Sequence, residues 1–253
     1  MSGYYKANRT RNIFTPESAH PFRLSRSKID LFLRCPRCFY LDRRLGIGQP
    51  PGYPFNLNTA VDKLLKKEFD IHRTQGTPHP LMKKYGITAI PFAHEKLDEW
   101  RDSLRRGITF HHSATNLLIT GGVDDVWVNP EGELIIVDYK ATSKEEEVTL
   151  DAKWQDSYKR QMEIYQWLFR RNGFNVSRVG FFVYCNGKTD KEAFDGKLEF
   201  DVSIIPYEGD DSWLEKAIND AHRCLVNAAM PEASPDCDFC NYRKAAQEVE
   251  LRN

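Results

Sequence analysis

No apolar run in this sequence approaches the roughly 18 residues that a membrane-spanning helix needs, and the polar, basic N-terminal residues contain no hydrophobic signal segment. These two absences set the expectation of a soluble, cytoplasmic protein with no membrane partner. Net charge is also missing, since 36 Lys and Arg balance 36 Asp and Glu, which argues against a protein coated in nucleic acid. There is no internal repeat and no low-complexity tract. Apolar residues make up 41% of the chain, which excludes wholesale disorder.

What is present is unevenly placed. The first fifty residues hold ten basic side chains, Lys6, Arg9, Arg11, Arg23, Arg26, Lys28, Arg34, Arg37, Arg43 and Arg44, against Glu17, Asp30 and Asp42, so the remainder is acidic by seven. Such segregation suits a phosphate-binding patch beside an acidic, metal-binding body. Of the 6 cysteines, four form two C-x-x-C pairs, Cys35 with Cys38 and Cys237 with Cys240. Knuckles this far apart are a metal signature more than a disulfide one. Cys185 and Cys224 read as small core residues.

The stretch Gly121 to Lys140, GGVDDVWVNPEGELIIVDYK, carries the chemistry. Two apolar runs flank Asn129, Pro130, Glu131 and Gly132, a tight hairpin turn in which Pro130 pre-sets one φ angle and Gly132 takes the left-handed position. If Asn129 pairs with Glu133, Asp124 faces Asp138, and alternation puts Lys140 on the face of Asp138. Two carboxylates this close repel unless a cation or proton lies between them. Leu134, Ile136, Asp138 and Lys140 form one face of the second strand, and Ile135, Val137 and Tyr139 the other. Both faces look buried, and burying charge uncompensated costs several kcal/mol.

Periodicity predicts the remaining elements. Residues 1 to about 22 read as an extended arm; Ser27 and Asp30 resemble a capping box opening a helix through Leu33 that Pro36 interrupts. Gly46 to Pro54 is a loop. Helices are predicted over Ala60 to Ile71, His94 to Arg106, Asp151 to Asn172 and Ser212 to Ala228, the third being the longest, with Trp154, Tyr158, Met162, Tyr165 and Phe169 on its stripe. Strands are predicted over Asn116 to Thr120, Arg178 to Cys185 and Lys197 to Ile205, followed by an irregular, charged C-terminus. Gln161 and Tyr165 share one helix face.

In this order and spacing, SKIDLFLRCPRCFYL, GGVDD, IIVDYKAT, QMEIY and CDFC resemble the PD-(D/E)XK nuclease superfamily, and within it the RecB-type branch that includes CRISPR adaptation exonucleases and helicase-linked nucleases. The resemblance spans roughly Ser25 to Tyr242. It implies an α/β fold with a restriction-endonuclease-like core, a mixed central sheet flanked by helices, and N- and C-terminal segments joined at the cysteines. The corresponding organisation is a basic arm over 1–24, one nuclease domain over 25–242 (helical part 25–107, catalytic sheet core 108–205, C-terminal helix and cysteine segment 206–242) and a charged tail over 243–253.

The resemblance further implies that Asp124 and Asp138, with the backbone carbonyl of Tyr139, bind Mg²⁺ or Mn²⁺. Lys140 would orient or activate the attacking water, and Gln161 and Tyr165 would hold the substrate strand, with Tyr158 and Arg160 in reach of a phosphate. RecB-type enzymes place a metal-binding His where this chain has Asp62, an oxygen ligand that alters metal preference or weakens activity. Members with a [4Fe-4S] cluster take one cysteine from the N-terminal phrase and three from the C-terminal segment, whereas Cys35, Cys38, Cys237 and Cys240 divide two and two, which a Cys₄ zinc site fits at least as well. The activity implied is a metal-dependent deoxyribonuclease, an exonuclease of DNA-repair type acting on ends or single strands. The alternative is an inactive nucleic-acid-binding module partnering a helicase or a repair or CRISPR complex.

Overall fold

The structure, a computed structural model, describes residues 9–52 and 56–252. It forms two compact units, each drawn from discontinuous segments: Met1–Tyr53, His111–Thr120 and Ser212–Asn253 in the first, Pro54–Phe110 and Gly121–Asp211 in the second.

The second unit is organised on a five-stranded mixed sheet. Its strands are β2 (Ile90–Pro91), β5 (Asp125–Val128), β6 (Leu134–Thr142), β7 (Val179–Gly187) and β8 (Phe200–Glu208), in that spatial order. Only β6 and β7 run parallel, and the chain between them returns through a 3₁₀ turn (Lys153–Gln155) and helix α6 (Asp156–Arg171), as a parallel connection requires. The hairpin joins β5 to β6 in the predicted register, with Val128 opposite Leu134 and Asp125 opposite Val137. Its turn closes through Gly132 N–H to Asn129 O (3.0 Å) and Asn129 N–H to Glu133 O (3.1 Å), with Gly132 at φ 80°. The burial of β6 is continuous from Leu134 through Tyr139, as both its apolar faces demand.

Helix α3 (Asn56–Gln75) supplies one cover of this sheet. Its Leu65 and Phe69 join Trp127, Ile135, Val137, Tyr139 and Val183 in one core, where the Phe69 ring stacks on Trp127 at 5.4 Å and on His79 at 4.3 Å. Truncating such a ring costs about 3–5 kcal/mol. Helix α6 meets the sheet so closely that a Cβ on Gly180 would lie 2.4 Å from Met162 Sδ and 3.0 Å from Ile136 O.

The first unit holds β1 (Phe22–Ser25) parallel to β4 (Leu117–Gly121), of which residues 117–120 belong to this unit; His111 and His112, the end of β3 (Ile108–His112), belong to it as well. Helices α1 (Arg26–Arg34), α2 (Pro36–Arg43), α7 (Leu214–Val226) and α8 (Asp238–Glu250) complete it.

Several expectations are corrected. The longest helix is α3 with 20 residues; α6 has 16, and because it starts only at Asp156, Trp154 leaves the buried stripe and is 53% exposed. The helix expected from His94 to Arg106 is only α5 (Leu97–Arg101), after which Gly107 turns the chain at φ 76°. Helix α4 (Pro80–Lys84) and strands β1, β2 and β3 were not foreseen. Ser27 makes no cap: Ser25 is the N-cap, without a side-chain cap bond, and Asp30 pairs with Arg34 Nε at 3.0 Å instead. The irregular C-terminus contains α8.

The expected N-terminal arm lies partly outside the described residues, as do Lys6 and the end of the Gly46 to Pro54 loop. From Arg9 onward it is pinned: Arg9 N–H bonds Gly46 O at 3.0 Å, and buried Phe14 meets Phe22 and His222 edge-on. Much of the basic cluster is turned inward as well. Arg9, Lys28 and Arg43 surround the buried carboxylate of Asp42 at 2.7–2.9 Å, Arg37 bonds Pro231 O and Arg44 bonds Phe14 O. These cations answer a buried acid and open carbonyls. None of the described helices is long and apolar enough to cross a membrane.

Candidate functional site

The hairpin register sets the candidate active site within the second unit. Asp138 lies on β6 with no exposed surface. Its Oδ1 accepts from Gln161 Nε2 at 2.5 Å, and the Lys140 ammonium pairs with Oδ2. Gln161 Nε2 also reaches the Tyr165 hydroxyl at 3.2 Å, so the i, i+4 pair on α6 presents both side chains to the end of β6. Asp124, just before β5, accepts from the Tyr139 backbone N–H at 2.9 Å through Oδ2. The Lys140 ammonium stands 4.5 Å from the centre of the Tyr158 ring. Burial lowers the Lys140 pKa, but Asp138 and Asp124 outweigh it and the result is raised, favouring the ammonium.

Asp62 reaches the site from α3. A small cleft of about 100 Å³ is lined by Asn58, Val61, Asp62, Tyr139, Lys140, Ala141 and Tyr158. Burial, then the neighbouring charge of Asp124, raise the Asp62 pKa above the ordinary carboxylate value. Asp62, Asp124, Asp138 and the Tyr139 carbonyl provide oxygen donors only, the chemistry hard divalent cations take. Lysines, rather than close carboxylate contacts, knit this set together.

Sequence reading missed three participants. Lys66, one turn beyond Asp62, lies between Asp62 (2.8 Å) and Asp124 (3.2 Å); the signal was the spacing of Asp62, Lys66 and Asp70 along one helix face. Asp125 faces away from the cleft and is fully buried, bonded by Arg101 Nη2 (3.0 Å), the Tyr139 hydroxyl (2.8 Å) and Arg73. Burial and then Asp125 hold the Tyr139 pKa well above its usual value. Lys144 lies 5.1 Å from the ring of exposed Trp154, which meets Tyr158 edge-on at 5.4 Å.

The cysteines gather in the first unit. The ligand atoms of Cys35, Cys38, Cys237 and Cys240 all lie within 4.8 Å of one another, the only such group of three or more His, Cys, Asp or Glu among the described residues. Sulfur separations are 3.8 Å for Cys35 to Cys240 and 3.6 Å for Cys38 to Cys237 and to Cys240. Cys35 and Cys237 are the N-caps of α2 and α8, so each C-x-x-C knuckle occupies a helix start, where the backbone favours thiolates. Burial works against the Cys35 thiolate, yet N–H groups of Cys38 and Ser234 and the facing thiols bring its pKa down to about 7. Burial pushes Cys185 and Cys224, outside this group, up to about 11.

No curated protein is significantly similar to this chain. Seven chains of solved structures are similar to it, among them the crystal structure of SSO0001, with 17% identity over 83% of this chain and 79% of that one and a TM-score of 0.41. The family model of the PD-(D/E)XK nuclease superfamily matches residues 56–245. By that match, which takes in both hairpin aspartates, Lys140, Gln161 and Tyr165, the chain belongs to the PD-(D/E)XK nuclease superfamily.

Proposed function

We propose that this protein is a Mg²⁺- or Mn²⁺-dependent deoxyribonuclease of RecB type, with Asp124, Asp138, Lys140, Gln161 and Tyr165 as its working residues. The observation that carries the reading is the fully buried Asp138 carboxylate held between Lys140 and Gln161, with Asp124 opposite across the hairpin. Burying a carboxylate at that depth is costly; Asp125 is offset by two arginines, and for Asp138, which has one lysine, a metal-ligand role supplies the further compensation. Asp124, Asp138 and the Tyr139 carbonyl would hold the ion, with Asp62 at its edge. When bound, a divalent cation supplies Lewis-acid polarisation of a phosphoryl oxygen.

The chain's own groups do the rest. Lys140, fixed over the Tyr158 ring, directs N–H donors at the attacking water and the phosphate oxygens. Gln161 holds Asp138 in one rotamer, and Tyr165 holds Gln161. Exposed Trp154 beside Lys144 offers a stacking face next to a cation, the arrangement that single-stranded nucleic acid favours. We therefore place single-stranded DNA or frayed ends first among substrates.

Labelled linear and circular DNA, single-stranded and duplex, incubated with Mn²⁺ or Mg²⁺ tests this. Linear single strands should be degraded, and Asp138→Ala should remove at least 100-fold of the rate; equal rates in wild type and variant sink the assignment. The Lys66 bridge favours one second reading, an inactive binding module partnering a helicase or repair complex, because an ammonium already neutralises part of the acidic set. DNA binding without metal-dependent turnover would identify it.

For the cysteines we propose a single structural Zn²⁺. Tetrahedral Zn–S bonds of about 2.3 Å place sulfurs ~3.8 Å apart, matching separations of 3.6–3.8 Å, whereas a cubane cluster sets its thiolates much farther apart. Purified protein should contain one zinc per chain and lack the broad absorption of an iron-sulfur cluster near ~400 nm. Iron with that band would reverse the assignment.

A further inference from the structure

The metal-binding half of the proposed site contains a cation of its own. Lys66 Nζ lies 2.8 Å from Asp62 Oδ1, 2.9 Å from Asp62 Oδ2 and 3.2 Å from Asp124 Oδ1. It is therefore held by three carboxylate oxygens from two elements, and its side chain is only 21% exposed. The other Asp124 oxygen, Oδ2, accepts the Tyr139 N–H at 2.9 Å. Asp138 is paired separately, with Lys140 and Gln161. The five charged groups thus divide into an Asp62–Lys66–Asp124 set and an Asp138–Lys140 set, joined through Asp124 and the β6 backbone.

We propose that Lys66 is a built-in counter-ion filling the Asp62–Asp124 pair, and that it restricts the site to one divalent cation, bound on the Asp124–Asp138 side. Asp62 and Asp124, two carboxylates that converge on the same ammonium, would otherwise invite a second ion between them. A second ion entering there must displace an ammonium anchored at three oxygens or sit beside it, and like charges a few ångströms apart repel. Because Lys66 projects from the 20-residue α3, whose Leu65 and Phe69 are locked into the core, its backbone cannot easily retreat. In this arrangement Asp62 acts as a positioning residue: it holds Lys66 and does not take the metal-ligand role that its place in the family pattern suggests.

The inference rests on the nuclease reading of the same site, and metal counting separates the two. Mn²⁺ is titrated into the full chain with its cysteine site loaded, following free Mn²⁺ by electron paramagnetic resonance. Wild type is expected to bind one equivalent. Lys66→Met, which removes the charge and keeps the length, is expected to bind a second; Lys66→Gln guards against a folding defect in the first variant, and Lys66→Arg should remain at one. Circular dichroism checks each fold. Two equivalents in wild type, or one equivalent with unchanged affinity in both Lys66→Met and Lys66→Gln, overturns the proposal while leaving the nuclease reading intact. No Mn²⁺ binding in wild type, or binding that Asp138→Ala does not affect, overturns both.

Discussion

Asp124 and Asp125 are neighbours with opposite surroundings. Alternation turns Asp124 towards α3, where it accepts from Tyr139 N–H and Lys66, and turns Asp125 into the interior, where Arg101, Arg73, the Tyr139 hydroxyl and Trp127 Nε1 (3.3 Å) converge on it. Removing the Asp125 carboxylate leaves two nearly buried guanidinium groups with the half-exposed Asp70 as their shared carboxylate partner, and takes the acceptor from the Tyr139 hydroxyl. Asp125→Ala should therefore destabilise the protein by about 3–5 kcal/mol. Asp124→Ala, at a side chain 24% exposed, should change stability by about 1 kcal/mol or less and abolish metal-dependent cleavage. Urea denaturation read beside a nuclease assay checks both, and a reversed pattern would exchange their roles. Asp124 was legible because its partner sits across a local turn. Asp125 was not, since its partners come from α3 and α5, 24 and 52 positions away.

Elements were legible where a single local signal governs them. The turn residues Asn129 and Gly132 set the β5–β6 register, and with it the contact of Asp124 with the Tyr139 N–H. The β1–β4 pairing, Phe22 with Leu117 through Ser25 with Thr120, joins segments remote in sequence and leaves no local trace. Helix α8 buries only Cys240, so its apolar pattern is too thin to announce it. Close approach of α6 to the hairpin depends on a residue with no side chain: a Cβ on Gly121 would lie 2.6 Å from Tyr165 Cε1, 2.8 Å from Cδ1 and 3.0 Å from Leu168 Cδ1. Gly121→Ala should thus push Tyr165 and loosen Gln161 on Asp138. The expected result is about 1–3 kcal/mol of destabilisation with a lower cleavage rate in the fraction that remains folded. Gly52→Ala, with nothing within 4 Å of its added carbon, is the control and should alter neither thermal midpoint nor rate.

For the molecule as a whole, the two sets of candidate metal ligands fall in different units, oxygen donors in one and cysteine sulfurs in the other. The α/β class and the gathering of the four cysteines were readable from motif order, while the division into discontinuous segments was not, because nothing in local composition marks where the chain leaves one unit for the other. The first unit also contains a strongly held acid, Asp42. Burial works to raise the Asp42 pKa, but Arg43 and Lys28 bond its carboxylate and bring it down to about 2. A carboxyl lowered on folding contributes stability that is fully present above its unfolded value, near ~3.9, and is lost as pH falls through its folded one. The contribution should be about 2 kcal/mol at neutral pH and should fade between pH ~4 and pH ~2. Asp42→Asn removes the charge at every pH and leaves Lys28, Arg43 and Arg9 facing a neutral amide. The stability gap between wild type and Asp42→Asn should accordingly be wide at pH 7 and narrow steadily in acid, as measured by urea denaturation at a series of pH values. A gap that stays constant down to pH ~2 would mean that Asp42 stabilises the unit by its shape and hydrogen bonds alone.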